Sequence, residues 1–396
     1  MNALARTLLS AAVCTLSVPV FALPRGPLPC QGGMAGPYPC QAVDQAGFVP
    51  LTELSRSPFA NAGRVLGWHH EASGREVAAI SLGQEISFVE VTDPESPVLR
   101  GEYRRDGQNG TAFLGAAAFY GDHLYVSVLD GGEAVLDIID MTRVLETEGA
   151  STRIQADVFV PVPIFGGLSI VPETGHAFLI AGRIAGLDLS ADPEAPEEIL
   201  SFDPGPPYTS RLECVLYHGP DDRFSGHEVC TAPAGRRSMV LYDVTPEHPA
   251  KLSRTFYKRY NSPWHATFSS DHRVVLLSDS HDEHNPGFNT RTFLFDVSNL
   301  TAPSYFASYD GPTKGRDLHI EVRGRYAFLA NGTAGMRVLD LREVAKGRVR
   351  EVGFFDVEPE LSSANWFGAH SLDVLPSGTV VVASLRQGLF VLKPRL

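Results

Sequence analysis

An all-β ring, a seven-bladed β-propeller closed by an N-terminal strand, is predicted by three observations. A strand that ends in an acidic residue returns about every fifty residues. A second, almost wholly apolar run precedes each copy. Helical periodicity is nearly absent between them. The first feature appears as SFVEVTDPESP (87–97), VLDIIDM (135–141), AGLDLSADPEAP (185–196), SMVLYDVTPEHP (238–249), TFLFDVSNLTAP (292–303) and MRVLDL (336–341), with GLFVLKP (388–394) ending the chain. The acidic positions Glu90, Asp140, Asp188, Asp243, Asp296 and Asp340 are spaced 44 to 55 residues apart. Repetition at this period is the mark of stacked supersecondary units, and four short strands per copy describe propeller blades.

Each element has a local reason. The preceding runs, REVAAISL, HLYVSVL, HAFLIAG, HEVCTAP, RVVLLSD, YAFLANG and TVVVASL, are strand-length and rich in Val, Ile, Phe and Ala. Their lack of alternation implies cover on both faces, as for middle strands of stacked sheets. The acid closing the next strand can accept backbone N–H groups of the following turn, where Pro sets the exit. The seventh copy stops at Lys393-Pro394, so a strand from the N-terminal side must complete its sheet, and FVPLTEL (48–54) is the expected one. Closure would hide the edges that an open array exposes.

Composition bounds the function. The 396 residues are 43% apolar with 22 Phe and 12 Tyr, enough for a core, and disorder is excluded. A net charge of −13 argues against nucleic acid or an anionic membrane surface as partner. Residues 1–22 read as a signal peptide: one positive charge, a short apolar run, then Val20-Phe21-Ala22 at the cleavage site. No other stretch reaches the length of a membrane span, so none is expected in the mature chain. The expected organisation is therefore a signal at 1–22, a Pro/Gly-rich segment at 23–47 and a propeller at 48–396.

Removing Cys14 leaves Cys30, Cys40, Cys214 and Cys230, an even number in an exported chain. Two disulfides follow, with 30–40 and 214–230 the natural pairing among three connectivities. A four-cysteine zinc site would need C-x-x-C spacing, which is missing.

Candidate chemistry gathers on the face where inner strands begin. Aligned repeats put His265 (PWHATF) and His319 (RDLHIEV) at equivalent positions, with His370 (FGAHSL) within one position and Trp68-His69 at the start of the first inner strand. Glu213 and Asp317 lie near similar positions. Converging imidazoles suit a transition metal, or form a generic polar lining. A second candidate is the loop SDSHDEHNPGFN (278–289), where Asp279, Asp282 and Glu283 offer oxygen donors for Ca²⁺ and His281 and His284 nitrogen donors for a transition metal. An acidic solvated turn is the plainer reading, and no EF-hand spacing occurs. His218 and His227 are expected to be structural within the Cys214–Cys230 hairpin. Asn109-Gly110-Thr111, Asn299-Leu300-Thr301 and Asn331-Gly332-Thr333 match the glycosylation pattern but read as turns. G-x-S-x-G, Gly-rich phosphate-loop and H-E-x-x-H signatures are all missing.

The Asp-ending strands resemble LVIVD repeats. With CQGGMAGPYPC (30–40), YHGPDDRFSGHEVC (217–230), DEHNPGFNTRTFLFDVS (282–298), EVGFFDVEP (351–359) and PSGTVVVASLRQGLFVLKP (376–394), the chain is similar to the choice-of-anchor B family over nearly all of residues 30–394. The resemblance implies an exported propeller and no particular activity. Two departures stand out. Family members often continue into an anchoring segment, whereas this sequence stops at Leu396, which implies release into the periplasm or medium. Where the family carries a Trp-Arg-Asp-like start to the second blade, this sequence has Leu114-Gly115-Ala116-Ala117.

The expected function is binding of a protein, glycan or small ligand through the histidine-bearing face. The alternative is a metal-dependent hydrolase or lactonase-like enzyme, with His265 or His319 as ligand or general base.

Overall fold

The computed structural model describes residues 23–396 apart from 106–111, 148, 150, 151, 208, 210, 259–261 and 285–287. The signal segment and the Asn109 motif lie outside the described residues. These residues form seven sheets around four-stranded antiparallel blades, five with four strands, one with five and one with six. The inner strands are Val65–His70, Ala112–Tyr120, Gly167–Val171, Glu213–Leu216, Pro263–Phe268, His319–Arg323 and Ala369–Val374. They begin blades 1 to 7.

The apolar runs become second strands, Arg75–Ser81, His123–Asp130, His176–Ile180, Glu228–Ala234, Val274–Asp279, Tyr326–Ala330 and Val380–Ser384. Their unbroken apolarity has the expected cause. Neighbouring blades cover both faces, so Val77, Ala78 and Ile80 are all fully buried in one strand.

The recurrent acid does the turn work its position suggested. Asp140, Asp188, Asp243, Asp296 and Asp340 each accept the backbone N–H two residues on, from Thr142, Ser190, Thr245, Ser298 and Arg342, at 2.8–3.0 Å. The acid thus satisfies an orphan donor where the chain leaves the sheet. A β-bulge accompanies it in the blades of Asp188, Asp243, Asp296 and Asp340, and another occurs beside Glu90 in blade 1. Third and fourth strands slip register at Phe88/Val89, Gly186/Leu187, Leu241/Tyr242, Leu294/Phe295 and Val338/Leu339. Bulges increase local twist, which outer blade strands require.

Ring closure occurs in blade 7 through an N-terminal strand, but not over the residues expected. The closing strand is Val43–Pro50, running from Val43 against Pro394 to Pro50 against Gly388. Residues Leu51–Leu54 instead form one helical turn. Asp44 and Gln45 look too polar for a strand in this core, yet the Asp44 carboxylate and the Gln45 amide nitrogen find partners in the preceding segment. Asp44 accepts the N–H of Cys30 at 2.6 Å, and the Gln45 amide donates to the carbonyls of Pro24 and Gly26 at 2.9 Å.

The 23–47 segment is therefore woven into the ring. Tyr38–Gln41 adds to the outer edge of blade 6, pairing Cys40 with Phe355. Tyr38 is buried against Phe355 and Phe390, ring centroids 5.3 and 5.4 Å away, and so spans blades 6 and 7. The disulfide Cys30–Cys40 clips this segment, and Cys214–Cys230 joins directly opposed residues of blade 4. Both expected pairings are present. Among the described residues, no helix is long and apolar enough to cross a membrane.

Candidate functional site

Where the inner strands begin, the channel opens into a cavity of about 540 Å³. Four of the expected residues, Glu213, His265, His319 and His370, line it from blades 4, 5, 6 and 7. Each starts an inner strand, so the repeat itself brings them together. His265 Nε2 stands 3.2 Å from Glu213 Oε2, and the Thr267 hydroxyl donates to the other oxygen of that carboxylate. The His265 and His319 rings lie 4.4 Å apart, tilted by 58°. His319 Nδ1 accepts the N–H of Leu372.

Enclosure determines the charge state of these rings. Burial holds His319 well below the ordinary histidine range, reinforced by His265, Arg64 and His370. Burial also lowers His370, with Arg211 adding to it. Both are neutral imidazoles at neutral pH. Further along the channel, Arg323 donates to Glu321 at 2.7 Å and reaches Asp373 at 3.4 Å. Burial pushes both carboxyls up, Asp373 adding to the effect on Glu321, against the pull of Arg323.

Arginines and tryptophans, which repeat alignment did not single out, form the rim. Arg64 and Arg211 line the cavity, and among the described residues neither side chain has an ion pair or hydrogen bond. The Arg211 guanidinium lies 3.8 Å over Trp264. Trp264 packs 5.1 Å from Trp366, and Arg316 lies 4.0 Å over Trp366 on its other side. A cation–aromatic row therefore runs across the openings of blades 4 to 7. Its one sequence signal is position: Arg64, Arg211 and Arg316 lie one, two and three residues before an inner strand. At the start of its inner strand, blade 2 contributes only small residues, Gly115 and Ala116. A side chain at Gly115 would meet Phe165 at 2.7 Å, so blade 3's aromatic ring occupies the space beside it.

The remaining expected residues fall elsewhere. Trp68 and His69 lie towards the end of the first inner strand and are not among the residues lining the cavity. Trp68 is 3% exposed, stacks between His70 and Phe119, and donates to the carbonyl of Gly121 at 2.9 Å. It is a core residue between blades 1 and 2. Asp317 is fully buried beneath the blade 5 loop, where the Thr292 hydroxyl donates to it at 2.6 Å. His227 pairs with Asp243 at 2.8 Å, and the ring of His272 accepts the N–H of His218.

The blade 5 loop lies beside this face but divides its polar groups among separate partners. Asp279 accepts from the Tyr257 hydroxyl and from the N–H groups of Ser262 and His281. Arg291 donates to Asp282 at 2.9 Å. The buried Arg316 aims its guanidinium at Nδ1 of His281 (3.2 Å) and Nε2 of His284 (3.0 Å), and donates to the carbonyls of Ser280 and Ala364. A nitrogen accepting from a guanidinium is not free to bind a metal. Among the described residues, no group of three His, Cys, Asp or Glu side chains has the geometry to hold a metal ion. Glu283 is 4% exposed with neither carboxylate oxygen bonded to a partner. Burial, then Asp317, Asp282 and Asp279, pushes its carboxyl up to about 9. Asp282 rises to about 7, again mainly through burial.

No family model matches the chain, and no curated protein matches it in sequence. Solved structures do match in fold. The C-terminal WD40 domain of Sif2 gives a TM-score of 0.51 at 11% identity, over 85% of this chain and 97% of that one. The WD40 repeats of RRP9 give 0.56 at 8% identity, over 85% and 96%. A chain from Kuenenia stuttgartiensis hydrazine synthase gives 0.55 at 13% identity, over 79% and 91%. At such identities the likeness speaks for fold alone, and that fold is a seven-bladed β-propeller.

Proposed function

We propose that this chain is an exported propeller of the choice-of-anchor B type that binds a ligand at the channel mouth without transforming it. The observation that carries the reading is convergence: Glu213, His265, His319 and His370, from four successive blades, face one cavity with an aromatic and cationic rim. Its volume falls within the range of small-molecule sites. The two disulfides favour an oxidising compartment and therefore export. Membership of the family rests on the motifs between residues 30 and 394. Propellers commonly serve as interaction modules, although function lies in the site and not in the fold.

Binding is tested by a thermal-shift panel of small acids, sugars and peptides. At least one class should raise the melting temperature of the native chain, since ligands that bind only the folded state stabilise it. The same class should leave a Trp264→Ala, His370→Ala variant unmoved. Stoichiometric metal in untagged protein, together with turnover of lactones or aryl esters, would contradict the reading.

A further inference from the structure

Resting on that binding reading, the geometry points to the ligand's chemical class: a small molecule that joins an oxyanion head to a flat apolar ring. Charge at the cavity carries the argument. Each acid there already has a partner: Glu213 is held by His265 and Thr267, while Glu321 and Asp373 share Arg323. The rings of His319 and His370 add no charge. Arg64 and Arg211 are left, two cations lining the same cavity with neither a hydrogen bond nor an ion pair among the described residues; burial, and then Arg64, weakens the protonation of Arg211.

In a chain of net charge −13, two guanidiniums with neither a hydrogen bond nor an ion pair at one opening are a local exception. Like charges in a partly enclosed site repel, and an anion between them would relieve that repulsion. Guanidinium forks match the geometry of carboxylate and phosphate oxygens. Beside them, Trp264, with Arg211 stacked on it, gives way to an apolar wall of Phe165 and Leu66. A flat ring can pack there while its anionic substituent meets the arginines. Long-range attraction should be weak, because the whole chain is acidic and screening acts within about 8 Å at physiological salt. Recognition should therefore be local.

Isothermal titration with 2-naphthoate and its neutral counterpart 2-naphthylmethanol tests the assignment. The native chain should bind 2-naphthoate at one saturable site, about tenfold or more tighter than the alcohol, as expected for one charge-assisted hydrogen bond. That preference should shrink as salt rises from roughly 20 mM to roughly 300 mM. Arg64→Gln with Arg211→Gln should abolish the preference, leaving both probes equally weak. Trp264→Leu should weaken both and preserve the preference. Because neither arginine makes a hydrogen bond or ion pair within the described residues, the paired variant should keep the native circular dichroism and melting temperature. If it does not, the paired Lys variant takes its place and should retain the preference. Equal binding of the two probes, no saturable binding of either, or a preference that survives in the Gln variant would each overturn the assignment. A neutral or peptidic hit in the thermal-shift panel, alongside any of these results, would leave the broader binding reading standing.

Discussion

Glu283 is the clearest case of a residue whose charge the fold has rewritten. Its carboxyl is enclosed, lacks a hydrogen-bond donor, and faces Asp317, Asp282 and Asp279, so the neutral form is favoured up to about pH 9. The unfolded chain releases that proton near the ordinary value of 4.5. A group raised in the folded state contributes fully below the unfolded value and loses that contribution as pH rises through the folded one. Melting temperature should therefore decline between about pH 5 and about pH 9, and Glu283→Gln should flatten the decline and raise stability at the alkaline end. An unchanged slope in the variant would show that Glu283 does not titrate this way. Arg316 makes the opposite case. It is 4% exposed, stacked on Trp366, and donates to two carbonyls and towards two histidines. Arg316→Ala should cost about 3 kcal/mol in chemical denaturation, and Arg316→Lys should not restore it, because an ammonium cannot reproduce the fork. Neither role was visible in the sequence, where Arg316 was only the neighbour of Asp317. A residue's partners come from other blades, and one copy of a repeat does not name them.

At the scale of elements the sequence spoke more clearly. The acid at the end of each third strand announced a capped turn, and five of them accept the N–H two residues on. The apolar second strands announced cover on both faces. The closing strand was legible in kind but not in position. Asp44 and Gln45 read as loop because their partners, Cys30, Pro24 and Gly26, lie in a segment with no regular pattern. Gly47 marks the same strand: a Cβ there would stand 2.5 Å from the Pro94 carbonyl of blade 1. Gly47→Val should lower stability by roughly 2 kcal/mol or more, because backbone cannot yield as a flexible side chain can. A neutral effect would mean that the blade 1 turn is free to move. Loss of Cys30–Cys40 by paired Ser substitution should cost roughly 3 kcal/mol, since the disulfide fixes the segment that bridges blades 6 and 7.

For the whole molecule, the ring converts a repeat into a site. Inner strands that start alike place their first residues around one opening, which is why His265, His319, His370 and Glu213 could be named from alignment alone. Trp68 and His69 failed because their strand begins at Val65, three residues before Trp68, and the pair sits at its other end. The rim of Arg64, Arg211, Trp264 and Trp366 stayed hidden because it comes largely from connections of unequal length, which no repeat register aligns. The central claim is that ligands meet this face. Hydrogen exchange, with and without a stabilising compound from the thermal-shift panel, tests it most directly. Protection should concentrate in the connections bearing Arg64, Arg211, Arg316 and Trp366. Protection confined to the opposite end of the channel, around His70 and His272, would contradict the account.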